Sequence, residues 1–121
     1  MSPTIDFATL LFGNYSLQEV DTGFVWIDGR HIYKKTVDTG TLPNTTTKTI
    51  AHNISDFDRT VRPPEGWAYR DSDKTTINVP FIGVNGKCQV TVNRTNIVYA
   101  TDANMQDFIN SYMTLYYLKT S

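Results

Sequence analysis

Asn85-Gly86 lies between "INVPFIGV" and "KCQVTV", two runs rich in strand-forming residues. Asn-Gly takes positive φ at little steric cost, so a two-residue turn there forces its flanks back on each other as antiparallel strands. Asp28-Gly29 does the same between Trp26-Ile27 and Ile32-Tyr33, and Asn93 to Asn96 supplies another reversal before "IVYA". Pro63-Pro64-Glu65-Gly66 breaks any strand and predicts a loop running through Trp67 and Tyr69 to Asp73. Reversals this closely spaced leave room for short strands and little else.

The composition agrees. Thr occurs 18 times, Asp ten and Asn nine, against two Glu and 11 Ala and Leu together. Thr favours strands, Asp and Asn favour turns, and the helix formers are scarce. Strands are predicted near 24–28, 31–38, 46–51, 57–62, 75–82, 87–93, 95–100 and 109–119. About eight strands with regular turns predict an all-β fold, an antiparallel β-sandwich. At 121 residues there is room for one such domain, assigned to 21–121. Residues 1–20 are read as an N-terminal docking or anchor segment. Its "IDFATLLF" stretch is apolar, long enough for a helical turn or two, and followed by the breaker Gly13-Asn14.

Alternation sorts the side chains. In "KCQVTV", Cys88, Val90 and Val92 share one face, which makes the single cysteine a buried apolar residue. In "FINSYMTLYYLKT", residues 112–118 are apolar on both faces, so one face is expected in the core and the other against a loop or another subunit. Tyr112, Tyr116 and Leu118, with Phe7, Leu10 and Leu11 upstream, are therefore the candidate oligomer contacts. They predict a homotrimer.

Several function classes fall away. Net charge is -1, and no Lys/Arg run exceeds Lys34-Lys35, so the basic stripe of a nucleic-acid binder is missing. No apolar stretch is long enough for membrane insertion as a span, and the start reads as no secretory signal. There is no Gly-x-Ser-x-Gly elbow, phosphate-binding glycine loop, Cys-x-x-Cys or paired-His motif, so no enzyme, catalytic residue, metal site or cofactor is expected. Asp56/Asp58 and Asp71/Asp73 have spacing that suits calcium, but turn aspartates bonding backbone N–H groups are the simpler reading. Trp67 and Tyr69, flanked by Arg62 and Arg70, are the candidate receptor or glycan contact, with core packing of the same aromatics as the competing reading.

One block carries a resemblance. "WIDGRHIYKKTVDTGTLPNTTTKTIAHNISDFD" resembles a segment near the C-terminus of bacteriophage tail-fibre and receptor-binding proteins. There, Tyr-Ser is followed by Trp-Ile-Asp-Gly-Lys-x-Ile-Tyr-x-Lys-Thr, a Leu-Pro-Asn element, a Thr-rich strand and His-Gly-Ile. The matching positions are Tyr15-Ser16, Trp26 to Gly29, Ile32-Tyr33, Lys35-Thr36, Leu42 to Asn44, and His52 with Ile54. The closing "SYMTLYYLKTS" is similar to the family's last strand, Tyr-x-Thr-x-x-Tyr-x-Lys-Thr. Asn53 stands where the pattern has glycine, and 62–86 falls outside it. The resemblance implies a trimeric β-sandwich tip on the virion surface, made in the host cytoplasm, with other virion proteins and a host surface glycan as partners. Its rival is a head fibre or capsid or neck decoration protein docked through its N-terminal segment. The start at Met1, so close to the block, suits either an excised fragment or a short virion protein.

Overall fold

The computed structural model describes residues 15–83 and 86–120, and the fold is an antiparallel β-sandwich. One sheet holds β1 (Val20–Val25), β2 (His31–Asp38), β4 (Phe57–Thr60), β5 (Glu65–Arg70), β6 (Thr75–Val79) and β10 (Asn110–Lys119). The other holds β3 (Thr47–Ala51), β7 (Phe81–Gly83), β8 (Gly86–Val92) and β9 (Asn96–Thr101), in the order β3-β9-β8-β7. The six-stranded sheet runs β1-β2-β10-β5-β6, with β4 also on β10. β10 is its centre: one edge pairs with β2 from Tyr112 to Tyr117. The other edge is shared between β5 at residues 110–114 and β4 at 117–119.

The space between the sheets is filled by alternate residues of both. Met113, Leu115 and Tyr117 of β10 meet Ile97 and Tyr99 of β9 and Cys88 of β8, all almost fully buried. Burial pushes the Cys88 thiol up to about 11, which leaves it an inert core residue. The polar atoms inside form ordered chains. The Tyr99 hydroxyl donates to Thr39 Oγ1 at 2.8 Å, Thr39 and Ser111 share a hydroxyl bond of 2.6 Å, and Ser111 Oγ donates to the Gly40 carbonyl at 2.6 Å. This relay ties β9 to β10 and to the end of β2.

Two strands differ from expectation. The 24–28 strand lies at 20–25, because Trp26 to Gly29 forms the turn itself. The Gly29 N–H donates to the Trp26 carbonyl at 2.9 Å, and Gly29 takes φ 88°. This is a three-residue loop with a glycine bulge, closed by the Trp26 N–H donating to the Arg30 carbonyl at 2.8 Å, and it puts Ile27 at the turn. The run at 75–82 divides at Pro80, whose missing N–H cannot continue a ladder. β6 stays in one sheet and β7 begins the other, which with the unexpected β5 gives ten strands instead of eight. β7 then pairs with β8 with Gly83 opposite Gly86, so the reversal lies where the sequence places it but one residue earlier than a turn at Asn85-Gly86, and Gly86 already belongs to β8.

The loop expected from 63 to 73 is the larger correction. Only residues 63–64 and the turn after Arg70 are irregular, and 65–70 is a full strand against β10 and β6. The prolines hid it by ending β4 just upstream. Gly66 makes this pairing possible. A Cβ there would lie 2.8 Å from the Val79 carbonyl and 2.9 Å from the Tyr112 carbonyl, and would meet the Met113 methyl.

At the N-terminal side, Val20 already belongs to β1, and the preceding described residues join the sandwich too. The Thr36 N–H donates to the Ser16 carbonyl at 2.9 Å, and Glu19 accepts from Tyr117 and Lys119. The apolar stretch 5–12 lies outside the described residues, as do Val84 and Asn85.

His52 shows how the block of the resemblance serves the scaffold. Nδ1 accepts from the Ile54 N–H at 3.2 Å, so Nε2 carries the proton and donates to the Asn93 carbonyl at 2.9 Å. Asn53 between them takes φ 56°, the left-handed conformation that Asn tolerates. Burial holds the His52 pKa below its ordinary 6.5, with Lys35 nearby adding to the effect and the Asn93 bond opposing it.

Two outcomes follow from this packing. Gly66→Ala is expected to cost about 2–3 kcal/mol by overpacking. Gly29→Ala, with open space around it, should cost only about 1 kcal/mol for its positive φ. Urea titrations of both variants check the order. For His52, the unfolded chain takes up a proton near pH 6.5 while the folded chain resists until lower pH. Stability is therefore complete above that pH and falls as the pH drops below it. Melting at pH 7.5 and 5.5 should show the loss, and His52→Gln should flatten the dependence.

Candidate functional site

The outward face of the six-stranded sheet is aromatic. Trp67 stands opposite Tyr112 in the β5–β10 register, and Tyr69, two residues on, projects from the same side. Ring centroids are 5.8 Å apart for Trp67 and Tyr112 and 6.4 Å for Tyr69 and Tyr112. Tyr15, ahead of β1, sets its ring edge-on to Trp67 at 5.6 Å. Thr36 of β2 and Thr114 of β10, bonded to each other at 2.9 Å, form a low floor between the strands. The four aromatic residues, Thr36 and Leu17 bound a shallow cavity of about 240 Å³.

Further along β10 the face holds a buried cation. Lys34 is 1% exposed, and its Nζ lies 4.4 Å from the Tyr15 ring and 5.5 Å from the Tyr116 ring. Both rings present their negative faces to the ammonium, which offsets part of its lost hydration. Burial still lowers the Lys34 pKa; Glu65 opposes that shift and Arg62 adds to it. Arg62 also lies over the Tyr116 ring, at 4.5 Å, and pairs with Glu65. Beyond Tyr116 opens a second, apolar trough of about 520 Å³, lined by Phe24, Trp26, Ile32 and Val61 among others.

The four candidate contact residues do not stay together. Trp67 and Tyr69 are neighbours on the aromatic face, and Arg62 lies on that face at the rim of the second trough. Arg70 leaves the group, because strand alternation sends it to the side of Ala68. There it pairs with Asp73 at 2.9 Å and lies 5.1 Å over Phe108. The pairing holds the Asp73 carboxyl well below its usual range. A loop would have let all four side chains converge; a strand separates odd from even.

The candidate oligomer contacts also divide. Tyr116 and Leu118 are covered by the chain itself and leave a partner almost no surface. Tyr112 is half-buried at the edge of the first cavity. Phe7, Leu10 and Leu11 lie outside the described residues. Exposed apolar surface is found instead at Leu17, Val25, Ile27, Ile82 and Ile109, with Ile27 91% exposed at the tip of the β1–β2 turn.

Lys34, Tyr15 and Trp26 were not singled out as site residues by the sequence. Lys34 does share a face with Ile32 and Thr36 in the alternation of β2, but the rings above it come from positions 15 and 116. Asp73 behaves as a turn aspartate and accepts the Thr75 N–H, whereas Asp58 lies in β4 and pairs with Arg30. Among the described residues, no three His, Cys, Asp or Glu side chains gather closely enough to hold a metal ion.

Comparison with protein-family models, with curated proteins and with solved structures returns no match for this chain.

Because Trp67 packs on an outer face, truncating it should cost less than truncating a residue between the sheets. Trp67→Ala is expected to lose about 1–2 kcal/mol, against about 3 kcal/mol or more for Leu115→Ala. Thermal melts of the two variants compare them directly.

Proposed function

We propose that this chain is a structural and adhesion module of a bacteriophage virion, the tip of a tail fibre that contacts the host cell surface. The observation that carries the reading is the aromatic face itself. Tyr15, Trp67, Tyr69 and Tyr112 stand on a stiff two-sheet scaffold, with Tyr15 55% and Tyr69 38% exposed. Aromatic rings held by strands offer flat apolar faces at small entropic cost, which suits stacking against sugar rings of a surface glycan. Arg62 at the neighbouring rim adds a cation for acidic sugars. The function assigned is binding and assembly, with no reaction and no cofactor.

The resemblance of residues 26–54 and of the closing strand supports the virion assignment. So does the backbone at Asn53, which takes positive φ at the position where the pattern carries glycine. The proposed assembly is a homotrimer set among other virion proteins at the particle surface.

Three measurements test this. An antibody to the domain should label the tail tips of virions that carry the chain; label on the capsid, or none, overturns the reading. Light scattering of the whole chain at micromolar concentration should return three times 13.7 kDa, and a monodisperse monomer excludes the trimer. Trp67→Ala and Tyr69→Ala should each weaken attachment to host cells by tenfold or more, about 1.4 kcal/mol, while remaining folded at the assay temperature.

A further inference from the structure

Two cavities share Trp67 and Tyr15. One is the shallow cavity of about 240 Å³ beside Tyr69 and Tyr112. The other, of about 350 Å³, is bounded by the same Trp67 and Tyr15 with Glu65, Asn78 and Pro80. Strand register produces this arrangement. Tyr112, Trp67 and Asn78 stand directly opposite one another on β10, β5 and β6, so they form one row across the outer face. At the ordinary spacing of strands the row is about 10 Å long. Asn110, Tyr69 and Thr76 form a second row beside it, two residues along β5.

Rings occupy the middle of this surface, and amides and a hydroxyl stand at its ends. Asn78, Asn110 and Thr76 are exposed, and among the described residues none of these three side chains has a hydrogen-bond partner. Each both donates and accepts. A sugar ring divides its chemistry in the same way, with C–H groups on a flat face and hydroxyls around the rim. The apolar side chains of a protein partner would cover the rings but leave the amides unpaired, at the cost of their lost hydration. Charge narrows the class of sugar. Glu65 is the charged residue among the described lining of the second cavity, and its partner Arg62 lines neither cavity. A carboxylate accepts hydrogen bonds from hydroxyls and repels another carboxylate.

We propose that the outer face binds a glycan laid across the strands, as two consecutive sugar units, one in each cavity, with Trp67 stacked against both. The unit beside Glu65 and Asn78 is a neutral hexose. Acidic units that Arg62 attracts fall beyond this pair. The inference deepens the adhesion reading and rests on it for the aromatic face as the site. It adds the direction of the glycan, its least length and the charge of one unit.

The test uses the whole chain in the Trp26→Phe background, where Trp67 is the only tryptophan. The probes are methyl β-glucoside, cellobiose, lactose, maltose and cellobiouronic acid, the uronate counterpart of cellobiose. At least one neutral disaccharide should shift Trp67 emission to the blue and bind tenfold or more tighter than the monosaccharide. Asn78→Ala should remove that advantage while leaving the melting temperature and the monosaccharide affinity unchanged. Glu65→Gln should bring cellobiouronic acid up towards cellobiose, a ratio that a merely structural Glu65 would not move. No preference for two units, an inert Asn78→Ala, or a uronate preferred by the unaltered chain would each overturn the proposal. Attachment to host cells, measured alongside, separates the two readings. Attachment that depends on Trp67 with no disaccharide bound overturns the two-unit site and leaves adhesion standing. Disaccharide binding with the expected variant effects, but without attachment, upholds the site and overturns adhesion.

Discussion

One strand of ten residues, β10, holds the whole sandwich. β10 pairs with β2 along one edge and with β5 and β4 along the other, and its inward residues Met113, Leu115 and Tyr117 are the middle of the core. Among the described residues, no other strand meets three partners. The six-stranded sheet therefore cannot close until β10 arrives, so the entropic cost of long loops must be met before most of the pairing is gained. The contacts that lock the closed state join the ends of the sequence. Arg30 donates to Asp58 and to the Lys119 carbonyl, and Glu19 accepts from Tyr117 and Lys119.

The same central strand shapes the outer face. A strand in the middle of a sheet presents one row of side chains to the core and one to the other side, and β10 makes both rows large. Tyr116 and Leu118 need cover that a second sheet does not supply, and the chain supplies it with Tyr15, Lys34, Arg62 and the turn around Trp26. Lys34 is buried because of this. Its ammonium lies between two tyrosine rings, so the aromatic surface is held in place by a charge as well as by packing. The aromatic positions that remain open, Trp67, Tyr69 and Tyr112, are those furthest from that lysine along β10.

Much of this was legible from local chemistry. Gly29 and Gly86 flank reversals because Asp-Gly and Asn-Gly tolerate positive φ, and Cys88 is buried because its strand alternates. The misreadings have equally local causes. Pro63 and Pro64 masked β5, although Gly66 to Arg70 carry a normal strand pattern once the close approach of β10 and β6 is known. "INVPFIGV" reads as one strand because nothing in it says that the ladder changes sheets at Pro80. Arg70 was grouped with Trp67 and Tyr69 by proximity in sequence, which a loop would honour and a strand does not.

By itself, then, the order of residues determined the class of fold, the positions of most turns and which side chains of each strand face together. These depend on φ preferences and on a period of two, both of which act over a few residues. It also showed that residues 112–118 are apolar on both faces, without saying what lies on either side. The tertiary structure alone decided that β10 is central, that Lys34 is enclosed by rings from positions 15 and 116, and that Arg70 stands apart from Trp67. Strand order and sheet stacking depend on pairings between residues far apart in the chain. A pattern with a period of two is satisfied by many such pairings, and only the packed core selects one.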